Sequence, residues 1–276
     1  MEKPRIQTLS CAFLLAFALL SVPWPAVLSQ EVEDERDFAY EEDSVMGPQH
    51  WGDIRPEWRL CGKGRMQSPI DLLNKRAQLV HSLGELKLHY TPSNATLINR
   101  GHDISLKWEG KAGYLEINGT HYELKQCHWH SPSEHTVNGR RFDLEIHLVH
   151  ESKNNQSAVI GILYTFGPPD SFLSQMYGHL QALANNGEES RVLGEINPKQ
   201  VRISSRSYYR YIGSLTVPPC SEHVVWTIAR EVRTVSREQV GTLHDAIHDA
   251  YEANARPIQP VNKRLVKFYR AEDDKN

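Results

Sequence analysis

Three histidines in this sequence have the type and spacing that a metal site requires. His128 and His130 stand two positions apart, and alternate side chains of a β-strand share a face, so both imidazoles project to the same side. Residues 142–149 alternate between apolar and polar in the same way and give His147 a fixed facing as well. Three neutral imidazoles are a donor set that binds Zn²⁺. The sequence therefore predicts a three-histidine metal site on two neighbouring strands.

The relative position of these two strands follows from the turn between them. The dipeptide Asn-Gly at 138–139 is a strong signal for a tight hairpin. The register that continues from this turn sets His130 directly across from His147, with Cβ atoms about 5 Å apart. Pro132 interrupts the first strand, because proline cannot donate to a ladder, and leaves open a slip or bulge at that point.

The elements that must carry this site are short strands between turn signals. An all-β pattern is interrupted by two helices, one capped by Asp170 and one opened by a capping box of Ser236 and Gln239. Both helices are expected to serve as packing elements. The strand candidates are residues 86–90, 95–98, 104–108, 114–117, 122–129, 159–166 and 215–228, the last of them broken at Pro218 and Pro219.

Length and composition are those of an ordinary globular protein. The chain has 276 residues, of which 39% are hydrophobic, and a formal net charge of −3. No basic surplus points to nucleic acid as a partner. Residues 30–46 are acidic and poor in large apolar side chains, so we expect a solvated or disordered arm there. One domain over 47–270 and a charged tail over 271–276 complete the predicted division.

The amino terminus has the pattern of a secretory signal peptide. Basic residues precede an apolar run at 11–20, and small residues precede a predicted cleavage after Ser29, so residues 1–29 are expected to be removed. No second apolar run is long enough to cross a bilayer, and we expect no membrane association after cleavage. N-glycosylation sequons agree with this route and stand at Asn94, Asn118 and Asn155.

Three cysteines remain after cleavage, which permits one disulfide and one free thiol. We expect Cys61 to pair with Cys220. Cys127 lies on the predicted metal strand but on the face opposite the histidines, where a free cysteine acts as a small apolar core residue. A bridge closing so long a loop contributes up to roughly 5 kcal/mol on the chain-entropy model.

Several motifs together closely resemble those of the α-class carbonic anhydrases, and the sequence around them is most similar to plant members. The resemblance spans nearly the whole predicted domain and implies one large, mostly antiparallel sheet with a few peripheral helices. It also implies a zinc ion held by the three histidines and reversible hydration of carbon dioxide to bicarbonate and a proton. The motifs are Gln-x-His-x-His at 126–130, Ser-Glu-His-Thr-Val at 133–137, Glu-x-His-Leu-Val-His at 145–150 and Gly-Ser-Leu-Thr-Val-Pro-Pro-Cys at 213–220.

The resemblance assigns roles to polar residues around the metal. Gln126 and Glu145 are expected to accept the outward N–H groups of His128 and His147 and so to fix their tautomers. Thr216 is expected to donate to a buried Glu134 and to orient the attacking oxygen. As an alternative, Glu134 coordinates the metal itself. His102 matches the residue that passes the released proton to buffer.

An apolar wall beside the metal is the other feature that the resemblance implies, because carbon dioxide is apolar. Val217 is expected among the substrate contacts, where many family members have a second hydroxyl, and Asp53 stands where many have tyrosine. Both departures predict an altered rate rather than loss of activity. The residues that match the wall are Val149, Val159, Leu215, Val224 and Trp226.

Two other functions stay open. A storage or binding protein on the same fold, with weak or lapsed catalysis, would be compatible with Val217 and Asp53. A cupin-like metal protein would use Glu134 as a ligand, although the glycines of that signature are missing at Tyr122 and Arg141. The expected location is the extracellular space or apoplast, or alternatively the chloroplast stroma reached through the secretory route. Oligomeric state is not predicted.

Overall fold

The computed structural model describes residue 31, residues 35–247 and residues 253–272. The predicted signal peptide lies outside these residues, as does most of the predicted charged tail. Four α-helices are present in the described part of the chain: α1 (Trp51–Ile54), α2 (Leu60–Lys63), α3 (Ser171–Asn186) and α4 (Arg237–Ile247). Short 3₁₀ turns occur at Pro56–Trp58, Asn74–Arg76, His81–Leu83 and Pro198–Val201.

Strands make up most of the regular structure. In chain order they are β1 (Asp71–Leu72), β2 (Gln78–Leu79), β3 (Lys87–Tyr90), β4 (Ser93–Asn99), β5 (Ile104–Trp108), β6 (Gly113–Ile117), β7 (Thr120–His130), β8 (Thr136–Val137), β9 (Arg140–Arg141), β10 (Leu144–Ser152), β11 (Ser157–Phe166), β12 (Ser190–Ile196), β13 (Ser207–Ser214), β14 (Glu222–Ala229), β15 (Arg233–Val235) and β16 (Lys267–Arg270).

One large sheet organises the molecule. Its main path runs β12-β4-β5-β7-β10-β11-β14-β13-β16-β2, and every pair along it is antiparallel except β11 with β14 and β16 with β2. The predicted mainly β fold around a mostly antiparallel sheet is therefore confirmed. Strands β7 and β10, which carry the three histidines, lie in the middle of this sheet, where neighbouring strands hold them on both sides.

The two faces of β7 have different surroundings. Cys127 and Trp129 lie in an apolar core that also contains Phe172 of α3 and Leu243 of α4, whereas the histidines project from the opposite face. A second apolar cluster covers that opposite face and includes Trp226. The strand alternation predicted from the sequence is thus confirmed, and the histidines are enclosed between the sheet and the second cluster.

Both long helices begin where the sequence predicted. Asp170 Oδ1 accepts the N–H groups of Phe172 and Leu173 at 2.9 and 3.0 Å, which satisfies two of the free donors at the start of α3. At α4, Ser236 Oγ accepts the N–H of Gln239, and the Gln239 side chain accepts the N–H of Ser236. This reciprocal pair is the predicted capping box.

The strand predictions were incomplete. The segment 215–228 is broken at Pro218 and Pro219 as expected: residues 215–221 form a loop, and β14 begins at Glu222. Prolines lack the N–H that a ladder needs, so pairing stops there. The sequence also gave no signal for β12, an edge strand in which apolar Val192 is exposed, or for β13.

The acidic arm packs onto the domain through its aromatic residues, although most of its acidic side chains are exposed. Phe38 and Tyr40 are buried in an aromatic cluster with Trp51 and Trp58. The indole N–H of Trp51 donates to the carbonyl oxygens of Ala39 and Met46 at 3.0 and 3.1 Å. The prediction of a solvated or disordered arm is wrong here, because two aromatic side chains outweigh the acidic composition that surrounds them.

The cysteines are arranged as predicted. A disulfide joins Cys61 to Cys220, and Cys127 is a free, buried thiol. Among the described helices, none combines the length and the apolar character that spanning a bilayer requires. The three sequon asparagines, whose glycosylation remains a prediction, are all exposed: Asn94, Asn118 and Asn155.

Candidate metal centre

The register of β7 against β10 differs from the predicted one. His147 lies opposite His128, and His130 lies opposite Glu145, whereas His130 had been expected opposite His147. Residues 131–135 leave the main sheet. The segment between the turn and the sheet is therefore two residues longer on the β7 side than on the β10 side. A shift of two residues keeps every side chain on its face. The predicted facing of the histidines therefore holds although the register was wrong.

The three imidazoles meet in a buried cluster. Their ring centroids are 4.6 to 5.2 Å apart, and each side chain is almost completely buried. One ring nitrogen of each histidine lies within 4.8 Å of the corresponding nitrogens of the other two. The grouped histidines are His128, His130 and His147.

The other ring nitrogen of each histidine is fixed by a hydrogen bond. The bonds run from His128 Nδ1 to Gln126 Oε1 (2.9 Å), from His130 Nδ1 to the Asn254 carbonyl (2.7 Å) and from His147 Nε2 to Glu145 Oε1 (2.8 Å). Each acceptor lacks a hydrogen, so each of these ring nitrogens carries the proton and donates. The inward nitrogens are then the unprotonated lone-pair donors, as metal ligation requires.

The inward nitrogens fit a metal ion. Nε2 of His128 and Nε2 of His130 are buried and have no hydrogen-bond partner among the described residues. Burial lowers the pKa of His128 well below its ordinary value, with a further contribution from the charge of Arg100, which keeps the imidazole neutral. Three neutral nitrogen donors and a free fourth direction are the ligand set of a catalytic Zn²⁺ site.

Glu145 supports the site with every acceptor position it has. Its Oε1 accepts from His147 and from His135 Nδ1 at 2.8 and 2.7 Å, and its Oε2 accepts the backbone N–H groups of Glu134 and His135. Burial raises the pKa of Glu145, but the charges and hydrogen bonds of the two histidines outweigh it, and the net pKa lies well below the ordinary value. The carboxylate is therefore ionised and rigid.

Asn254 is a residue that the sequence analysis missed. Its backbone carbonyl holds His130, and its side-chain oxygen accepts the N–H of Ser131 at 2.8 Å. Its side-chain N–H₂ group donates to the carbonyl oxygens of His102 and Trp129. A contact made through a backbone carbonyl leaves no trace in residue type, so no local signal in the sequence marked Asn254.

Glu134 and Thr216 do not make the predicted hydrogen bond. Glu134 Oε1 accepts the backbone N–H of Arg256 at 2.9 Å, which turns Oε2 toward the imidazoles, 3.6 Å from His130 Nε2. That oxygen has no hydrogen-bond partner in the described part of the chain. Thr216 is buried in the loop after β13. Glu134 therefore lies at the centre, but the expected contact with Thr216 is absent.

The residues predicted to form the apolar wall lie together, and Trp226 brings them next to the metal site, whereas the predicted substrate contact Val217 lies elsewhere. The wall residues pack in one cluster, and the ring of Trp226 lies 4.8 Å from that of His147. Val217 instead packs with Phe38 and the disulfide in the aromatic cluster of the arm. The members of the wall, which all belong to the second apolar cluster, are Val149, Val159, Leu215, Val224 and Trp226.

His102 lies under the arm rather than in an open loop. Its Nε2 donates to the carbonyl of Phe38 at 2.6 Å, and its ring centroid is 5.4 Å from those of Phe38 and Tyr40. Asp53, predicted to replace a tyrosine of the site, is exposed on α1 and does not belong to the site. Tyr40 packs edge-on against His102, and its buried hydroxyl has no hydrogen-bond partner among the described residues.

Comparisons with known proteins agree with this centre. The family model for eukaryotic-type carbonic anhydrase matches residues 46–270. Alpha carbonic anhydrase 7 of Arabidopsis thaliana is 52% identical over 267 residues, which cover 95% of this chain and 97% of the relative. This similarity spans both strands of the metal centre.

Solved structures extend the comparison to the fold. A dioscorin complexed with ascorbate superimposes with a TM-score of 0.84 at 43% identity and covers 86% of this chain and 99% of its own. The α-carbonic anhydrase of Thermovibrio ammonificans with the inhibitor sulfanilamide gives a TM-score of 0.75 at 35% identity, covering 83% and 98%. The family assignment rules out the cupin-like alternative. The chain belongs to the family of eukaryotic-type, or α-class, carbonic anhydrases.

Proposed function

We propose that this protein catalyses the zinc-dependent, reversible hydration of carbon dioxide to bicarbonate and a proton. The observation that carries the proposal is the set of three buried imidazoles whose outward N–H groups are bound and whose inward nitrogens converge. When bound, Zn²⁺ lowers the pKa of a coordinated water to about 7, the value known for carbonic anhydrase itself, and so supplies a nucleophile at neutral pH.

The chain's own residues orient the ligands. Gln126 and Glu145 hold His128 and His147 through their outward nitrogens, and the backbone of Asn254 holds His130. These bonds fix the tautomer and the angle of each ring, which is how neighbours of a ligand raise metal affinity. Because all three ligands are neutral, they leave the positive charge of the metal uncancelled.

Two further groups orient the reaction. We assign Thr216 as the residue that aligns the attacking oxygen through a hydrogen bond from its hydroxyl to Glu134, a bond that this structure does not contain. The second carboxylate oxygen of Glu134 is buried and has no partner among the described residues, so it is the acceptor available for this bond. Carbon dioxide would lie against the apolar wall next to His147, where Trp226 and its neighbours exclude water.

His102 is assigned to carry the released proton away. A histidine imidazole can both accept and release a proton. Its Nε2 is tied to the Phe38 carbonyl, and the segment around Phe38 and Tyr40 covers it. The proton path out of the site therefore passes along the arm.

The proposed location is the secretory pathway, ending in the extracellular space or apoplast. The disulfide supports an oxidising compartment, and the exposed sequons support glycosylation there. A chloroplast destination through the same route is the alternative. The partner is the small-molecule substrate, and nothing in the charge of the chain suggests nucleic acid.

Hydration of carbon dioxide by the purified, zinc-loaded protein tests the proposal. We expect activity well above buffer, loss of activity when zinc is chelated, and recovery when zinc is restored. His128→Ala should abolish both zinc retention and activity. His121→Ala is the matched control, because His121 lies on the same strand with an exposed side chain. A zinc-loaded wild-type protein without hydration activity would overturn the proposal.

A storage or binding role on the same fold is the second candidate, and the similarity to a dioscorin complexed with ascorbate favours it. Zinc binding without hydration in the same assay would support this candidate. The convergent, partner-free ring nitrogens favour the enzyme instead, because a storage protein has no need of them.

A further inference from the structure

Glu31, the first described residue of the acidic arm, contacts the side chain that holds the metal ligand His128. Oε2 of Glu31 accepts a hydrogen bond from Gln126 Nε2 at 3.1 Å and lies 3.8 Å from His128 Nδ1. The Glu31 side chain is only 7% exposed. Gln126 is the residue whose amide oxygen accepts the N–H of His128. A chain of contacts therefore runs from Glu31 through Gln126 to His128.

Arg100 holds Glu31 in this position. Its Nη1 donates to the same Glu31 oxygen at 2.9 Å, and its Nε donates to Asp103 at 2.7 Å. The arm is also tied by its backbone, since the N–H of Glu35 donates to the Arg100 carbonyl at 2.7 Å. The guanidinium is planar and carries fixed donors, so a group that it binds has a defined place.

The two ends of the Gln126 amide are chemically opposite, and their order decides what His128 can do. The oxygen accepts and the N–H₂ group only donates. With the amide reversed, the N–H₂ group would face His128 Nδ1, which would then have to be unprotonated, and the proton would move to the nitrogen that faces the metal. A carboxylate beside the N–H₂ end forbids that reversal, because its oxygens cannot donate.

We propose that Glu31 is a positioning residue for the metal ligand His128, acting through the side chain of Gln126. The inference rests on the proposed function only in that the three histidines bind zinc. The arm, on this view, completes the metal centre from outside the sheet. Ser105 Oγ also donates to the Gln126 oxygen, at 3.3 Å, and favours the same orientation from the other end.

The experiment measures zinc release from the full mature chain to an excess of a chelator. We expect Glu31→Gln to release zinc roughly 3- to 10-fold faster than wild type, less than the ~10- to 100-fold typical when a direct partner of a ligand is changed. The reason is that an amide at position 31 accepts either orientation of Gln126. Glu42→Gln is the control, since Glu42 is an exposed carboxylate of the same arm.

A double-mutant cycle separates positioning from general stabilisation. In a Gln126→Ala background the contact chain is broken, and Glu31→Gln should cause no further change in zinc release. Equal acceleration in both backgrounds would overturn the proposal. As a second readout, Glu31→Gln should alter the visible spectrum of the cobalt-substituted protein, which reports ligand geometry, and an unchanged spectrum with unchanged zinc release would also overturn it.

The test does not depend on turnover. A wild-type protein that binds zinc but hydrates no carbon dioxide would contradict the proposed function and still allow the zinc-release comparison. Active wild type with a Glu31→Gln variant that retains zinc normally would contradict only the role of Glu31.

Discussion

Two fully buried glutamates behave in opposite ways because their neighbours differ. Glu145 accepts four hydrogen bonds, and its pKa is held well below the ordinary value. Glu35 has no hydrogen-bond partner in the described structure for either oxygen, and burial raises its pKa well above 4.5, although the charge of Arg100 acts against this. Burial alone disfavours the charged form of a carboxyl group. Several hydrogen-bond donors around the carboxylate are needed to reverse that effect.

Glu35→Gln is therefore expected to stabilise the folded protein at neutral pH. A group whose pKa is raised in the folded state contributes to the stability of the protein at pH values below its unfolded-state pKa. That contribution is lost as the pH rises through the folded-state pKa. The amide does not ionise, so the gain in unfolding free energy over wild type should be near zero at pH 4 and roughly 1 to 3 kcal/mol at pH 7, because burial costs the ionised carboxylate more than its 3.4 Å ion pair with Arg100 returns. Chemical unfolding at the two pH values measures it.

An exposed glutamate of the same arm provides the comparison for this measurement. Glu42→Gln should leave the free energy of unfolding within about 0.5 kcal/mol of wild type at both pH values. If Glu35→Gln destabilised the protein at pH 7 as much as at pH 4, the ionisation of Glu35 would not be what opposes folding.

The sequence predicted secondary-structure elements well where residue type and the spacing of apolar residues indicated the same structure. Alternation along β7 and β10 gave the facing of the histidines, and Asp170 and Ser236 gave the helix starts. The register could not be predicted, because the residues that leave the sheet at 131–135 are visible only as one proline. Strand β12 was missed since an edge strand buries little of either face.

The arm is the element that composition described least well. Its acidic residues suggested solvation, whereas two aromatic side chains fix it over His102. Long-range contacts of this kind have no local period, so a sequence pattern cannot reveal them. Glu31 and Asn254, which contact the residues of the metal centre, both come from segments to which local patterns assigned no functional role.

Phe38→Ala tests how far the arm depends on its aromatic anchor. Phe38 is 1% exposed and packs edge-on against Trp51 with ring centroids 4.9 Å apart. Its loss should cost about 3 to 5 kcal/mol of unfolding free energy, as for other buried phenylalanines, and should expose His102. Denaturant unfolding measures the first effect, and modification of His102 by a histidine reagent measures the second.

Val45→Ala is the matched control, because Val45 is an exposed apolar residue of the same arm at 83% exposure. It should change neither stability nor the reactivity of His102. A Phe38→Ala variant with wild-type stability would mean that the arm contributes little to the fold and that its packing is not what covers His102.

Across the whole molecule, the centre draws on segments far apart in the chain. The arm, the two central strands and the segment at 253–256 all contribute, and Arg256 links this last segment to three further parts of the chain. Its guanidinium donates to the carbonyl of Cys61 and to Gln67, and its backbone N–H binds Glu134. The disulfide from Cys61 to Cys220 ties the same region to the loop that carries Thr216.

Removing this bridge should therefore affect both stability and the centre. The bond joins residues 159 positions apart, and the chain-entropy model gives roughly 5 kcal/mol as the upper limit for such a loop. We expect the variant with Cys61→Ser and Cys220→Ser to lose about 2 to 5 kcal/mol of unfolding free energy and to hydrate carbon dioxide more slowly, because the Thr216 loop is held less firmly. Cys127→Ala, at the free thiol on the other face of β7, should keep wild-type hydration even where it lowers stability, because Cys127 lies in the core behind the sheet. Full hydration activity in the variant without the bridge would show that the sheet and Arg256 alone position the loop.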